Sequence, residues 1–362
     1  MFSLIKKRPA TLWIGLGVFS ILLRIILGFL PTVTEYAYSR GLFRLIRWLF
    51  DFTITNFPFP LFYLLGAALL YYLGRSIFRF FKQIKQYNWK EHLVNILLGL
   101  GGFIGATIFL FFILWGYNYS RISVEEQLGL HLVAPDSLCL NQEFQQVASE
   151  AILLRNRLSQ TPNVPIDVQY FPRNTEAAIR PLLTKVLARN GYPTPGRVRG
   201  RKLVPKGILL RFGIAGIYLP FIGEGHIDSG LHPLSQPFTL AHELAHGYGF
   251  GAEGTCNFWA YLTCLEADEP AIRYAGHINY LRYLLGAQRR YGKEYYKTIK
   301  QNLPQAILTD LEAIKENNAK YPDWISASPI NDAFLKSQGV KDGIESYSRV
   351  IVLVTAWRRK NR

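Results

Sequence analysis

The stretch Pro237-Phe-Thr-Leu-Ala-His242-Glu243-Leu-Ala-His246-Gly-Tyr-Gly-Phe-Gly-Ala-Glu253 decides how the rest of this sequence is read. Residues four apart share one face of a helix, so a helix here aims His242 and His246 at the same point and sets Glu243 beside them. A catalytic zinc ion takes three protein ligands and leaves the fourth position to water; Glu253, seven positions after the second histidine, supplies the third. Glu243 is then placed to take a proton from that water. The flanks agree with a helix. Ser235 and Pro237 are start signals, Phe238, Leu240, Ala241, Leu244 and Ala245 give it apolar faces, and Gly247 and Gly249 supply a stop. The chemistry this donor set points to is that of a zinc hydrolase.

The segment from Glu253 to Cys264 also reads as helical, and on it Asn257 shares a face with Glu253. Asn257 is thus placed to orient a histidine ligand through its second ring nitrogen. Glu266, Asp268 and Glu269 lie further downstream and compete for the third ligand position, but the glycines at 247, 249 and 251 permit the tight return that Glu253 requires. Two plainer readings stand beside this one. The histidines can be hydrogen-bonded core residues, or the zinc can be purely structural, although closed structural sites prefer four ligands and cysteine-rich sets, and three are visible here. Cys139, Cys256 and Cys264 fit no disulfide framework and are expected as buried free thiols.

With 362 residues, 49% of them hydrophobic, the chain has room for a membrane region and one globular domain. Apolar runs over about 11–30, 57–74 and 93–117 are each long enough to cross a bilayer core of about 30 Å. Only Arg24 interrupts the first, and no small-residue cleavage site follows it, so it reads as a retained anchor rather than a signal peptide. Lys6, Lys7 and Arg8 precede the first span, and Arg75, Arg79, Lys82, Lys85 and Lys90 fill the connection between the second and third. The excess of basic residues places both segments in the cytoplasm and everything after about Asn118 outside it. Arg40, Arg44 and Arg47, interleaved with Phe43, Leu45, Ile46 and Trp48, read as an interfacial amphipathic helix.

The net charge of +16 is uneven: residues 1–117 hold 12 basic against 3 acidic side chains, and the remainder 29 against 22. Most of the excess is therefore topological, which argues against a nucleic-acid-binding module. The run Arg197-Val-Arg199-Gly-Arg201-Lys202, with Lys206, reads as a solvated loop able to meet anionic headgroups. Beyond the last span, helices are expected at about 141–159, 174–189, 270–288, 304–317 and 342–358. Residues 207–222 look extended, and Pro220 marks an edge strand that could hold an extended peptide by main-chain pairing.

Several of these pieces together resemble a known family. They are Trp115-Gly-Tyr-Asn-Tyr-Ser-Arg121, Gly216-Ile-Tyr-Leu-Pro-Phe221 with Gly223 and Glu224, the run Pro237 to Tyr261, and Asp342-Gly-Ile-Glu-Ser-Tyr347. The chain resembles the uncharacterised bacterial membrane-protein family known as domain of unknown function 3810. The resemblance implies a few membrane spans followed by a zincin-like domain. Glu253-Gly-Thr-Cys-Asn257 is also similar to the Glu-x-x-Ala-Asp signature of integral-membrane gluzincin peptidases, in which the first Glu is the third zinc ligand; here Cys256 and Asn257 replace Ala and Asp. Where the family has a Tyr in its Arg-x-x-Gly-Tyr stretch, this chain has His277.

The expectation is a membrane protein with an α-helical anchor of three spans in residues 1–120 and an α+β zincin-like, mostly helical metallopeptidase domain in residues 121–362. It sits in the bacterial inner membrane with the second domain extracytoplasmic. His242, His246 and Glu253 hold Zn²⁺, Glu243 is the base, Asn257 supports the ligands, and His277 stabilises the oxyanion. The expected partners are the lipid bilayer and a peptide or protein substrate near it, and no nucleic acid. The alternative from another class is a non-catalytic, zinc-stabilised membrane scaffold or envelope adaptor.

Overall fold

The computed structural model describes residues 9–53, 55–83 and 88–361. The basic residues Lys6, Lys7, Arg8 and Lys85 of the topology argument lie outside them. The chain divides into two units, Met1–Ile122 with Leu219–Gly223, and Ser123–Tyr218 with Glu224–Arg362. The segment Leu219–Gly223, expected in the second domain, clusters with the first unit.

In the first unit, α1 (Pro9–Gly28) is followed by a short wide-pitched π segment (Thr34–Leu42), α2 (Phe43–Thr53), α3 (Phe62–Gln83) and α4 (Trp89–Leu114). Among the described residues three helices, Pro9–Gly28, Phe62–Lys82 and Trp89–Leu114, are long and apolar enough to cross a membrane. The second and third begin or end several residues away from the expected spans. Arg75, Arg79 and Lys82 continue α3 rather than forming a connection, because long unbranched side chains keep good helix propensity and no breaker interrupts them. Asn88 then accepts the Lys90 N–H and starts α4.

Helices α1 and α4 pack closely where small residues face each other: a Cβ on Gly17 would lie 2.7 Å from Gly105 Cα. Glu35, 1% exposed, accepts from Arg121 Nη2 at 2.7 Å and from Arg40 Nε at 2.7 Å. The reading of residues 40–48 as a helix with arginines along its polar face needs correction. Arg47 is buried, bonding Asp51 at 2.9 Å and the Gly223 carbonyl at 2.9 Å, while Leu45, Trp48, Leu49 and Phe52 face outward. Charge that finds partners inside the unit leaves the apolar face for its surroundings, the inverse of a soluble helix.

The second unit runs α5 (Ser137–Leu158), α6 (Thr175–Arg189), β1 (Arg199–Leu203), β2 (Gly216–Leu219), β3 (Glu224–Asp228), α7 (Gln236–Gly247), α8 (Glu253–Leu265), α9 (Pro270–Gln288), α10 (Lys293–Gln301), α11 (Gln305–Ala319), α12 (Ser328–Ser337), a 3₁₀ segment (Gly343–Arg349) and α13 (Val350–Lys360). The strand order is β1-β3-β2, with β1 parallel to β3 in the register Arg201↔His226. The four residues joining β2 to β3 allow only an antiparallel pair. Two expectations fail here. Only Gly216–Leu219 of the extended stretch is a strand, since Gly207 and Gly213 adopt left-handed conformations and Leu210–Phe212 coils between them. The basic loop is strand β1: Arg201 is buried and pairs with Glu224 at 2.7 Å, so its charge is used inside the sheet.

Helix α8 is buried from Glu253 through Cys264, packed by α6, α7, α9 and α13, with Trp259 and Tyr261 among the largest fully buried side chains. Arg155 and Asp310, both fully buried, pair at 2.7 Å, and Tyr274 donates to the same carboxylate. Removing one partner of such a pair costs about 3–5 kcal/mol, because the other charge stays buried alone. Cys256 and Cys264 are buried free thiols, whereas Cys139 is partly exposed.

Candidate metal centre

The period of α7 puts His242 and His246 on one face, their ring centroids 4.8 Å apart. Ser235 occupies the N-cap position without a side-chain bond, so Pro237 and the packing of the apolar face, rather than a cap, define the start. The stop is built as the glycines suggest. Gly249 is left-handed (φ +87), the Gly249 N–H reaches His246 O at 2.9 Å, and the Phe250 N–H reaches Ala245 O at 3.3 Å. These two bonds form a Schellman turn. The turn does more than end the helix, because it returns the Phe250 carbonyl to 2.8 Å from His246 Nδ1.

A carbonyl oxygen can only accept, so His246 carries a proton on Nδ1 and turns Nε2 the other way. His242 is fixed in the same sense. Its Nδ1 lies 2.8 Å from Asn257 Oδ1, and the Asn257 amide is oriented by its own Nδ2 donating to Tyr347 O at 3.1 Å. Both histidines thus turn their Nε2 atoms inward, and these lie 3.1 Å apart. Glu253, the first residue of α8, adds Oε2 at 2.9 Å from His242 Nε2 and 3.4 Å from His246 Nε2.

Two imidazole nitrogens and a carboxylate oxygen this close in a buried site call for a positive charge: burial lowers the His246 pKa, but Cys256 and Glu253 outweigh it and raise it well above the ordinary value, and a metal ion held by the three atoms would supply the same charge. The three separations define a triangle of circumradius about 1.8 Å, so a point about 2.05 Å from every atom exists roughly 1 Å off its plane, which is the bond length zinc takes to nitrogen and oxygen. Two imidazoles and a carboxylate are the donor set of an open, three-ligand zinc site. Burial tends to raise the Glu253 carboxyl, but His246 and His242 outweigh it and hold the group well below the usual carboxylate range. Glu253 is therefore ionised, as a ligand must be.

Cys256 shares this neighbourhood, with Sγ inside the same cluster of potential ligand atoms as the two histidines. Its sulfur, however, lies 3.4 Å from His246 Nδ1, on the ring edge that faces away from the convergence point, and donates to Phe250 O. It buttresses the ring rather than joining the ligand triangle.

Glu243 lies on the sheet side of α7. A Cβ on Gly216 would fall 2.6 Å from Glu243 Oε1, and one on Gly225 2.9 Å from Glu243 Cβ, so only glycine fits at these places on β2 and β3. Burial pushes the Glu243 carboxyl up to about 7 against the pull of His242 and His246, and Glu253 adds to the rise. A group poised near neutrality both takes and returns a proton.

His277 is not brought to this site. It packs against Tyr261, with Nδ1 3.4 Å from the hydroxyl and 3.6 Å from Glu150 Oε2, in a cluster completed by Arg358. Tyr261 lies eight residues, or about 12 Å of helix, beyond Glu253. The contacts of His277 are thus with Tyr261 and Glu150, and not with the histidine pair for which an oxyanion role was expected. The aromatic groups that do approach the histidines are Tyr347, whose ring lies 6.2 Å from that of His242 and parallel to it within 3°, and Tyr218 of β2, 6.4 Å from His246.

A model of the family described as "Protein of unknown function (DUF3810)" matches residues 38–355. The chain belongs to the DUF3810 family. The match takes in every residue of the triangle, Glu243, Asn257 and Tyr347. No curated protein and no solved structure matches the chain. In this DUF3810 protein Gly216, Gly225 and Tyr347 lie in or beside the family-like segments, but no local pattern links them to the histidines; the sheet and the 3₁₀ segment make that link in space.

Proposed function

We propose that the chain is a membrane-anchored, zinc-dependent metallopeptidase with His242, His246 and Glu253 as ligands and Glu243 as general base. The observation that carries this reading is the convergence of two Nε2 atoms and one carboxylate oxygen within 2.9–3.4 Å, with each Nδ1 tied to an acceptor. A bound zinc supplies Lewis acidity there, polarising the scissile carbonyl and making a water acidic enough to be deprotonated near neutral pH. Glu243 accepts the proton of the attacking water and delivers it to the departing amine. Gly216 and Gly225 hold the carboxylate in place by leaving it the space a methyl group would take.

The substrate class is a peptide or protein close to the membrane. β2 is an edge strand and carries both Gly216, against Glu243, and Tyr218, against His246. An extended chain added along that edge runs past the base and the metal ligands. The excess of basic residues around the spans supports a second unit outside the cytoplasm of a bacterial inner membrane.

The test is Glu243→Gln in the full-length protein, purified in detergent, with zinc content and hydrolysis of a fluorogenic peptide mixture measured together. The reading expects zinc unchanged and hydrolysis lost, because an amide of the same size cannot take the proton. Zinc without hydrolysis in the wild-type protein would leave a structural metal site in a membrane scaffold.

A further inference from the structure

The segment Asp342-Gly-Ile-Glu-Ser-Tyr347 has no part in the chemistry above, yet its last residue lies against the metal ligands. The Tyr347 main-chain oxygen accepts from Asn257 Nδ2 at 3.1 Å, and the same amide holds His242 by Nδ1. The Tyr347 backbone is therefore fixed at the outer, Nδ1 edge of His242. Its ring runs parallel to the imidazole of His242 within 3°, with 6.2 Å between centroids. The hydroxyl accepts from Asn331 Nδ2 of α12 at 3.4 Å, leaving its own hydrogen to be donated. Tyr347 is partly exposed, unlike the fully buried Tyr261, Tyr274 and Tyr280, so a substrate can touch it.

We propose, building on the peptidase reading, that Tyr347 is the catalytic residue that hydrogen-bonds the oxyanion, and that Asn331 is the residue that positions it. In the step, the water oxygen forms a bond to the scissile carbonyl carbon and its proton passes to Glu243. The carbonyl π pair moves onto oxygen, which accepts the Tyr347 O–H hydrogen bond without taking the proton. On collapse the C–N bond breaks, its electron pair goes to nitrogen, and nitrogen takes the proton from Glu243. Donors aimed at charge that develops only during the reaction act on turnover more than on binding of the ground state.

The experiment uses the zinc-loaded full-length protein and a phosphinic analogue of glycylglycine, whose tetrahedral phosphorus carries two oxygens as the intermediate's carbon does. Calorimetric affinity, zinc content and zinc retention against a chromophoric chelator are measured for wild type, Tyr347→Phe and Tyr218→Phe. Tyr347→Phe is expected to bind the phosphinate about 10-fold to 100-fold more weakly, with zinc content and retention unchanged, and to lose more affinity than Tyr218→Phe. Equal phosphinate affinity in wild type and Tyr347→Phe at equal zinc content overturns the proposal alone, as does a loss confined to Tyr218→Phe or absence of binding to zinc-loaded wild type. A wild-type protein that takes up no zinc removes the peptidase reading and this proposal with it. Should Tyr347→Phe not fold, Asn331→Leu serves: a partial loss of phosphinate affinity at unchanged zinc supports the positioning role, and wild-type affinity overturns it.

Discussion

Asn257 and His242 are joined by a bond between Oδ1 and Nδ1 at 2.8 Å, and the amide that makes it also donates to Tyr347 O. One side chain therefore orients the ring of a proposed metal ligand and the backbone of a residue far away in sequence. A carboxylate at this position would do the first and not the second, having no hydrogen to donate. The substitution of Asp by Asn relative to the gluzincin-like signature accordingly carries a gain in connectivity.

Removing that link should loosen the metal. Asn257→Ala is expected to weaken zinc about 10-fold to 100-fold, the usual effect of deleting a partner that orients a ligand. Asn257→Asp should keep zinc close to wild type, since the acceptor for His242 remains. Competition with a chromophoric chelator measures both, and a loss as large with Asp as with Ala would contradict the orienting role.

Gly216→Ala should spare the metal and damage the chemistry. The new methyl group meets Glu243 Oε1 on one side and the His226 carbonyl on the other, so the carboxylate has to yield. A displacement of about 1 Å at a catalytic group is enough to cost about 100-fold in rate. Zinc content and hydrolysis rate read together test this; a fully active alanine variant would remove the packing argument.

How much of this was legible beforehand follows contact distance along the chain. The helix pairing His242 with His246 and the glycine-assisted return to Glu253 are local, and periodicity with turn chemistry exposes them. Strand β1 was hidden because Arg199, Arg201 and Lys202 look solvated until Glu224 is placed opposite Arg201. β3, reading Glu-Gly-His-Ile-Asp, offers polar residues at alternate positions, and Asp228 is consumed by the backbone N–H groups of Gly207, Leu209 and Gly230. His277 was misplaced for the same reason in reverse. Its helix is nearly buried all round, so sequence spacing gives no facing, and tertiary packing turns it toward Tyr261 and Glu150.

His277 carries a pH prediction of its own. Burial lowers its pKa to about 4 from 6.5; Glu150 pulls it up, and Arg358 and Arg273 push it down. The folded state thus binds fewer protons than the unfolded chain between these values, so stability is complete above about pH 6.5 and is lost as pH falls through that window. His277→Gln should flatten this acid sensitivity, reducing the difference in unfolding free energy between pH 7 and pH 4 by at most about 3 kcal/mol, without abolishing hydrolysis. Denaturant unfolding at the two pH values gives the number; an unchanged pH dependence would show that His277 is not the sensing group.

Zinc K-edge X-ray absorption of the metal-loaded protein reads the identity of the three ligands. With His242, His246 and Glu253 around the metal, the expected spectrum has a first shell of nitrogen and oxygen only, at about 2.0–2.2 Å, with the outer-shell pattern of two imidazoles, and loses one oxygen scatterer, or zinc itself, in Glu253→Ala. A sulfur scatterer at about 2.3 Å would place Cys256 in the ligand set and contradict this assignment.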